Sequence, residues 1–122
     1  LRLALEDITQ NVQGIEISMN YDMSDNIPKD IKYSFINIVK EAINNTLKHS
    51  NGDRMNIRLR EHPAFYQLSI TDNGSDIKIA GQGMGLSGIQ ERVNMLGGTI
   101  KLSTDKGFSL LITVMKKEED DI

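Results

Sequence analysis

Apolar and polar positions along the chain fall into two alternating periods, one helical and one extended. Leu1, Leu5, Ile8 and Val12 recur at helical spacing, so residues 1–13 read as a short amphipathic N-terminal helix. Gly14 breaks that pattern, and Ile15, Ile17 and Met19 then alternate as a strand. The run MSDNIP supplies a turn and a helix entry at Pro28. From Pro28 to about Ser50, Ile31, Phe35, Ile38, Val39, Ala42, Thr46 and Leu47 form one apolar side, as expected of a long helix packed on a sheet. Met55, Ile57 and Leu59 next alternate with Arg54, Asn56, Arg58 and Arg60. His62-Pro63-Ala64 turns the chain, with His62 a plain surface residue, and Tyr66, Leu68 and Ile70 alternate again. This is a hairpin with one buried face. After a glycine-rich stretch, Leu86, Ile89, Val93 and Leu96 make one helical stripe that stops at Gly97-Gly98. Thr99–Ser103 and Phe108–Met115 form a second hairpin across Asp105-Lys106-Gly107, and the tail from residue 116 to 122 is charged. The order α-β-α-β-β-α-β-β predicts a sheet with its helices on one face.

Length and composition narrow the picture. A chain of 122 residues, 39% hydrophobic, suits one domain with a real core. The net charge of -3 argues against nucleic-acid binding or broad contact with a membrane surface, so any polyanion is bound locally. The absence of cysteine excludes disulfides and cysteine metal sites and is compatible with a cytosolic setting. No apolar run approaches a membrane span. A start at Leu1 rather than Met points to a domain cut from a longer protein.

Three stretches carry candidate chemistry. Five of the ten glycines (Gly74, Gly81, Gly83, Gly85 and Gly88) crowd into Asp72–Gly88, and the last of them open a helix. Free N–H groups and the positive end of the helix dipole there favour an anion. Gly83-x-Gly85-x-x-Gly88, with Asp105 further on, matches the dinucleotide fingerprint as a string, but no strand runs directly into the glycines, and the match is rejected. On the long helix, Glu41, Asn45, Lys48 and His49 cluster at the margin of the apolar stripe, either as a functional patch or as a solvated helix face. Period two carries on to Asp72, so its carboxylate either points to the buried face and needs a partner, or lies just past the strand and caps the Asp72-Asn73-Gly74 turn.

In this order, Glu41-x-x-x-Asn45-x-x-Lys48-His49, Asp72-Asn73-Gly74 and Gly81-x-Gly83-x-Gly85-Leu86 resemble the N box and the two glycine boxes of the GHKL ATPases. EAINNTLKHS and GMGLSGIQERVNMLGG look most similar to bacterial two-component sensor histidine kinases. The resemblance covers residues 5 to 115. It implies a Bergerat-type two-layer α/β sandwich, with a mixed sheet of about five strands and three helices on one face.

The resemblance also implies roles. Asp72 would accept a hydrogen bond from the adenine amino group of ATP. Asn45 would give its amide oxygen to Mg²⁺, and Glu41 would orient the nucleophile or a metal-bound water. Lys48 and His49 would face phosphate, while Gly74, Gly81, Gly83, Gly85 and Leu86 would bound the nucleotide loop, with an ATP lid between Gly74 and Gly81. The implied partners are a dimerisation domain bearing the phospho-accepting His, preceding residue 1 in a homodimeric kinase, and a response regulator. The implied location is the cytoplasmic part of a membrane-anchored sensor. Two departures stand out: Asp76 occupies a usual glycine position, and Lys106-Gly107-Phe108-Ser109 replaces the usual Gly-x-Gly-Thr, so no site residue is carried over from there. Rival readings are a serine kinase that inhibits a sigma factor, which would yield acid-stable phosphoserine, and a non-catalytic nucleotide-binding docking module, for which Asp76 is the best argument.

Overall fold

Along the chain the order is α1 (Arg2–Gln10), β1 (Glu16–Asp22), α2 (Lys29–His49), β2 (Arg54–Glu61), β3 (Phe65–Asp72), α3 (Leu86–Met95), β4 (Thr99–Ser103) and β5 (Ser109–Met115). The structure, a computed structural model, describes residues 1–49, 52–74, 86–103 and 107–116, without the side chains of His49, Leu86 and Ser87. Lid residues 75–80, the loop glycines Gly81, Gly83 and Gly85, Asp76, the turn at Asp105-Lys106 and the tail beyond Lys116 lie outside the described residues.

The strands form one mixed sheet in the order β1-β2-β3-β5-β4, with β1 parallel to β2 and the other pairs antiparallel. Period two decides which face is buried. In β2 the arginines are exposed while Met55, Ile57 and Leu59 are sealed, and the register sets Ile57 beside Ile70 and Leu59 beside Leu68. Leu110 and Ile112 of β5 continue the same rows. The helices cover this face, and Phe35, Ile38, Val39 and Ala42 of α2, Leu5 of α1, and Ile89 and Val93 of α3 have no solvent exposure. Each of these side chains other than Ala42 contributes roughly 1.5–3 kcal/mol by leaving water, which is what holds the helical layer to the sheet.

Helix boundaries follow local chemistry. Pro28 stands just before α2, its carbonyl accepting from Lys32 N, and Asp30 adds an acid at the positive end of the dipole. Gly97 ends α3 with φ of 71°, while α1 closes at Asn11 and Gly14, with φ of 95°, turns the chain towards β1; a side chain at either glycine would be strained. Leu47 departs from expectation: it is 46% exposed rather than part of the apolar side. It lies about 120° around the helix from Phe35, whereas Thr46, about 20° away, faces the core. Ile43 is the additional buried residue on that flank.

The end of the sheet where β3 begins is tied by charge. Lys116 Nζ donates to Glu61 Oε2 at 2.7 Å, Ser24 N donates to Glu61 Oε1 at 2.7 Å, and the ammonium also lies 5.2 Å from the centre of the Tyr66 ring. His62 is not plain surface: its ring stacks on Phe65 at 4.4 Å, and its Nε2 is buried without a partner. The hydrogen bonds from Lys116 and Ser24 pull the Glu61 carboxyl down to about 2 from its ordinary 4.5. A lowered folded-state value means the contribution to stability is complete above about pH 4.5 and is lost as pH falls towards 2. Urea unfolding should therefore find Glu61→Gln less stable than the wild type by about 1 kcal/mol near neutral pH, with the difference closing between pH 4.5 and 2. A difference that persists unchanged at pH 2 would sink this account.

Candidate functional site

At the opposite end of β3, Asp72 resolves the ambiguity of its sequence position by doing both jobs. Its register partner is Met55, its residue exposure is 7%, and its side chain is directed inward. Thr46 Oγ1 of α2 donates to Oδ2 at 3.0 Å, while Gly74 N and Phe108 N each donate to Oδ1 at 3.0 Å. The Gly74 bond is the turn cap; the Thr46 bond is the partner that a buried carboxylate requires. A carboxylate accepts at about four positions, so three donors leave one free. Backbone bonds reinforce the frame, since Asp72 N donates to Phe108 O at 2.9 Å.

Asn73 works on the other side of the turn. Its Oδ1 accepts from Asp53 N at 2.9 Å and Arg54 N at 3.0 Å, and its Nδ2 donates to Asp53 Oδ1 at 2.8 Å. The turn after β3 is thereby fastened to the start of β2. Gly107 seals the far side with φ of 95°, and a Cβ there would collide with the carbonyl oxygen of Asp72. Neither Gly107 nor Phe108 was carried over as a site residue, because the local string departs from the familiar one. Phe108 acts through its N–H, which no side-chain pattern reports. Thr46 did leave a signal, being a hydroxyl in the middle of an apolar stripe.

The flank of α2 beside Thr46 carries the other candidates. Asn45 is buried at 7% exposure, and its Nδ2 has no hydrogen-bond partner. Glu41, one turn earlier, meets Arg92 of α3, whose Nε lies 3.5 Å from Oε1; Glu41 Oε2 is buried and unpartnered. Lys48 is exposed on the same flank, and the side chain of His49 lies outside the described residues. Gly74 is buried in the Asp72 turn. The structure thus gathers Asp72, Gly74, Thr46 and Phe108 into one bonded unit and sets Asn45 and Glu41 on the adjoining helix. Gly81, Gly83, Gly85 and the Leu86 side chain lie outside the described residues.

Two buried polar atoms without partners on one helix flank are unusual, since most buried polar groups are satisfied, and each such exception marks a place where a ligand, ion or water can complete the bonding. Among the described residues there is no group of three or more His, Cys, Asp or Glu side chains that could hold a metal. The donor set that is present, one amide and one carboxylate, fits a hard ion shared with phosphate oxygens and water. No described helix is long and apolar enough to cross a membrane.

The model of the family described as histidine kinase-, DNA gyrase B- and HSP90-like ATPase matches residues 32–119, a span that contains Glu41, Asn45, Asp72 and the glycine stretch. The chain belongs to that family of ATP-binding ATPase domains. Among curated relatives, the sensor protein VraS of Staphylococcus haemolyticus (strain JCSC1435) is 29% identical over 124 residues, covering 96% of this chain and 36% of that protein. VraS of Staphylococcus aureus (strain COL) is 31% identical over 99 residues, covering 77% of this chain and 28% of that protein. The chain thus spans about a third of the length of these relatives. Among solved structures, the blue-light activated histidine kinase of Erythrobacter litoralis EL346 superposes with a TM-score of 0.75 at 18% identity, over 98% of this chain and 44% of that one. The ATP binding domain of PrrB from Mycobacterium tuberculosis gives 0.70 at 19% identity, over 96% of this chain and 90% of that one. These two likenesses confirm the five-stranded mixed sheet with three helices.

Gly107→Ala tests how far the Asp72 unit depends on close backbone approach. Positive φ and the collision with the Asp72 carbonyl should together cost about 2 kcal/mol or more of unfolding free energy. Urea denaturation of the variant beside the wild type measures it. Equal stabilities would show that the contact yields without cost.

Proposed function

We propose that this chain is the ATP-binding catalytic domain of a two-component sensor histidine kinase, and that all 122 residues act as one unit following a dimerisation region. The observation that carries the reading is the buried Asp72 carboxylate, held by three donors with one acceptor position left over, beside two unpartnered polar atoms on α2. A fixed acceptor of this kind suits an exocyclic amine and disfavours a carbonyl at the same place, which accounts for adenine as the base. Phosphates then extend towards Asn45, Lys48 and His49, with N–H groups around Gly83, Gly85 and Leu86 closing on them.

Asn45 and Glu41 are the groups that would hold Mg²⁺ and its water. An amide can turn about its last bond and exchange its buried nitrogen for its oxygen, so Asn45 can serve as an oxygen ligand. The ion, when bound, neutralises phosphate charge. The reaction joins the γ-phosphorus of ATP to an imidazole nitrogen of the dimerisation helices. The bond from that phosphorus to the bridging oxygen breaks, ADP leaves, and the imidazole N–H proton passes to solvent water. Glu41 orients the incoming imidazole. This chain contributes positioning and charge complementarity, with no covalent intermediate of its own. The phosphoryl group passes onward to a response-regulator carboxylate, and the domain works in the cytoplasm as part of a homodimeric, membrane-anchored kinase.

Calorimetric titration with ATP provides the test. The wild type should bind, and Asp72→Asn should weaken binding roughly tenfold or more, since a hydrogen bond to a charged group is worth about 1.5–3 kcal/mol. Asn45→Ala should remove the part of the affinity that depends on Mg²⁺. Folded wild type that takes up no ATP would overturn the reading. In the longer protein the phosphorylated product should be acid-labile; an acid-stable product would favour a serine kinase instead.

A further inference from the structure

The α2–α3 interface contains a polar contact that the ATP-site residues alone do not explain. Glu41 is gripped by two positions of α3 that are one turn apart, and therefore on the same side of that helix. Arg92 Nε reaches Oε1 at 3.5 Å, and Gly88 lies so close that an added Cβ would come within 3.2 Å of Oε2 and 3.5 Å of Oε1. The carboxylate is thus wedged between a guanidinium and a bare backbone. A bridge serving stability alone would satisfy both oxygens, yet Oε2 is buried with nothing bonded to it. Leaving a buried acceptor empty costs free energy, and Glu41 bears that cost one turn before Asn45, whose Nδ2 is likewise buried without a partner.

We propose that Arg92 is a positioning residue for the phosphoryl transfer: it holds the Glu41 carboxylate in one orientation, with Oε2 kept open for the incoming group. This rests on the kinase reading above. Gly88 is the second half of the device, because a Cβ there would press on the carboxylate and require it to shift by a few tenths of an ångström. The arrangement also places the grip on α3, whose first residue, Leu86, directly follows the last glycine of the loop.

The test measures phosphohistidine formation in the kinase that joins this domain to its His-bearing helices, with ATP binding measured on the chain itself. Arg92→Gln should leave the ATP dissociation constant within about twofold of wild type while lowering the transfer rate roughly tenfold or more, with KM little changed. Arg92→Lys should recover part of the rate. In a Glu41→Gln background, Arg92→Gln should have no further effect, since the two act as one unit. A merely structural bridge would instead lower thermal stability in the wild-type background and leave the rate per folded molecule unchanged. Wild-type rates in folded Arg92→Gln, or additive losses in the double variant, overturn the inference while the kinase reading stands. If Arg92→Gln fails to fold, Arg92→Lys decides: a folded variant with wild-type transfer overturns the proposal. Absence of ATP binding by the wild type overturns the kinase reading and this inference with it.

Discussion

A buried carboxylate is an expensive thing to build into a small domain, and the arrangement around Asp72 shows how the expense is met. Its donors come from three places far apart in sequence: Thr46 on α2, Gly74 in the turn after β3, and Phe108 just before β5. Each alone is worth about 1 to 3 kcal/mol net. Together they require α2 to lie over the end of β3 and the β4–β5 hairpin to meet the same end, so the position of one side chain depends on the whole two-layer stack. The polar constraint and the apolar core therefore specify the same packing. Phe35, Ile38 and Ala42 bring α2 down onto the sheet, and Thr46, next on the same stripe, arrives where the carboxylate needs it.

The two ends of the central strand differ in their chemistry. At the start of β3, Lys116, Glu61 and Ser24 pair their charges and dipoles with one another. At its end, and on the neighbouring flank of α2, acceptors are left partly open and two polar atoms have no partner among the described residues. The start of β3 also leaves His62 Nε2 buried without a partner, so unpartnered atoms alone do not set the two ends apart; what distinguishes the far end is the grouping of a buried, partly open carboxylate with Asn45 and Glu41 on the adjoining helix.

Much of this was legible in the sequence because period and burial are local properties. Met55, Ile57 and Leu59 against Arg54, Asn56 and Arg58 announce a one-sided strand, and the helix from Pro28 shows its stripe in the same way. The alternation carried through to Asp72 flagged an inward carboxylate. Strand order was not legible, since the parallel pairing of β1 with β2 is a long-range contact that leaves no mark on either segment. Leu47 was misplaced because a stripe counted by apolar character alone takes in a residue about 120° from its centre. Arg92 and Glu41 meet only through tertiary packing, fifty-one positions apart, and neither residue type reveals the other. Thr46 stood on the apolar side of the helix by position alone, and nothing local told that its hydroxyl donates to the buried charge of Asp72.

Two of the three donors to Asp72 are backbone N–H groups. A main-chain donor exists whatever side chain its residue bears, so position 108 can hold phenylalanine, or another residue of similar fit, and present the same hydrogen bond. The limits fall on Gly107, where no Cβ has room, and on Thr46, where the hydroxyl itself is used. A site wired in this way can lose the lettering by which it is usually recognised, as Lys106-Gly107-Phe108-Ser109 has, and still present the same surface to a ligand.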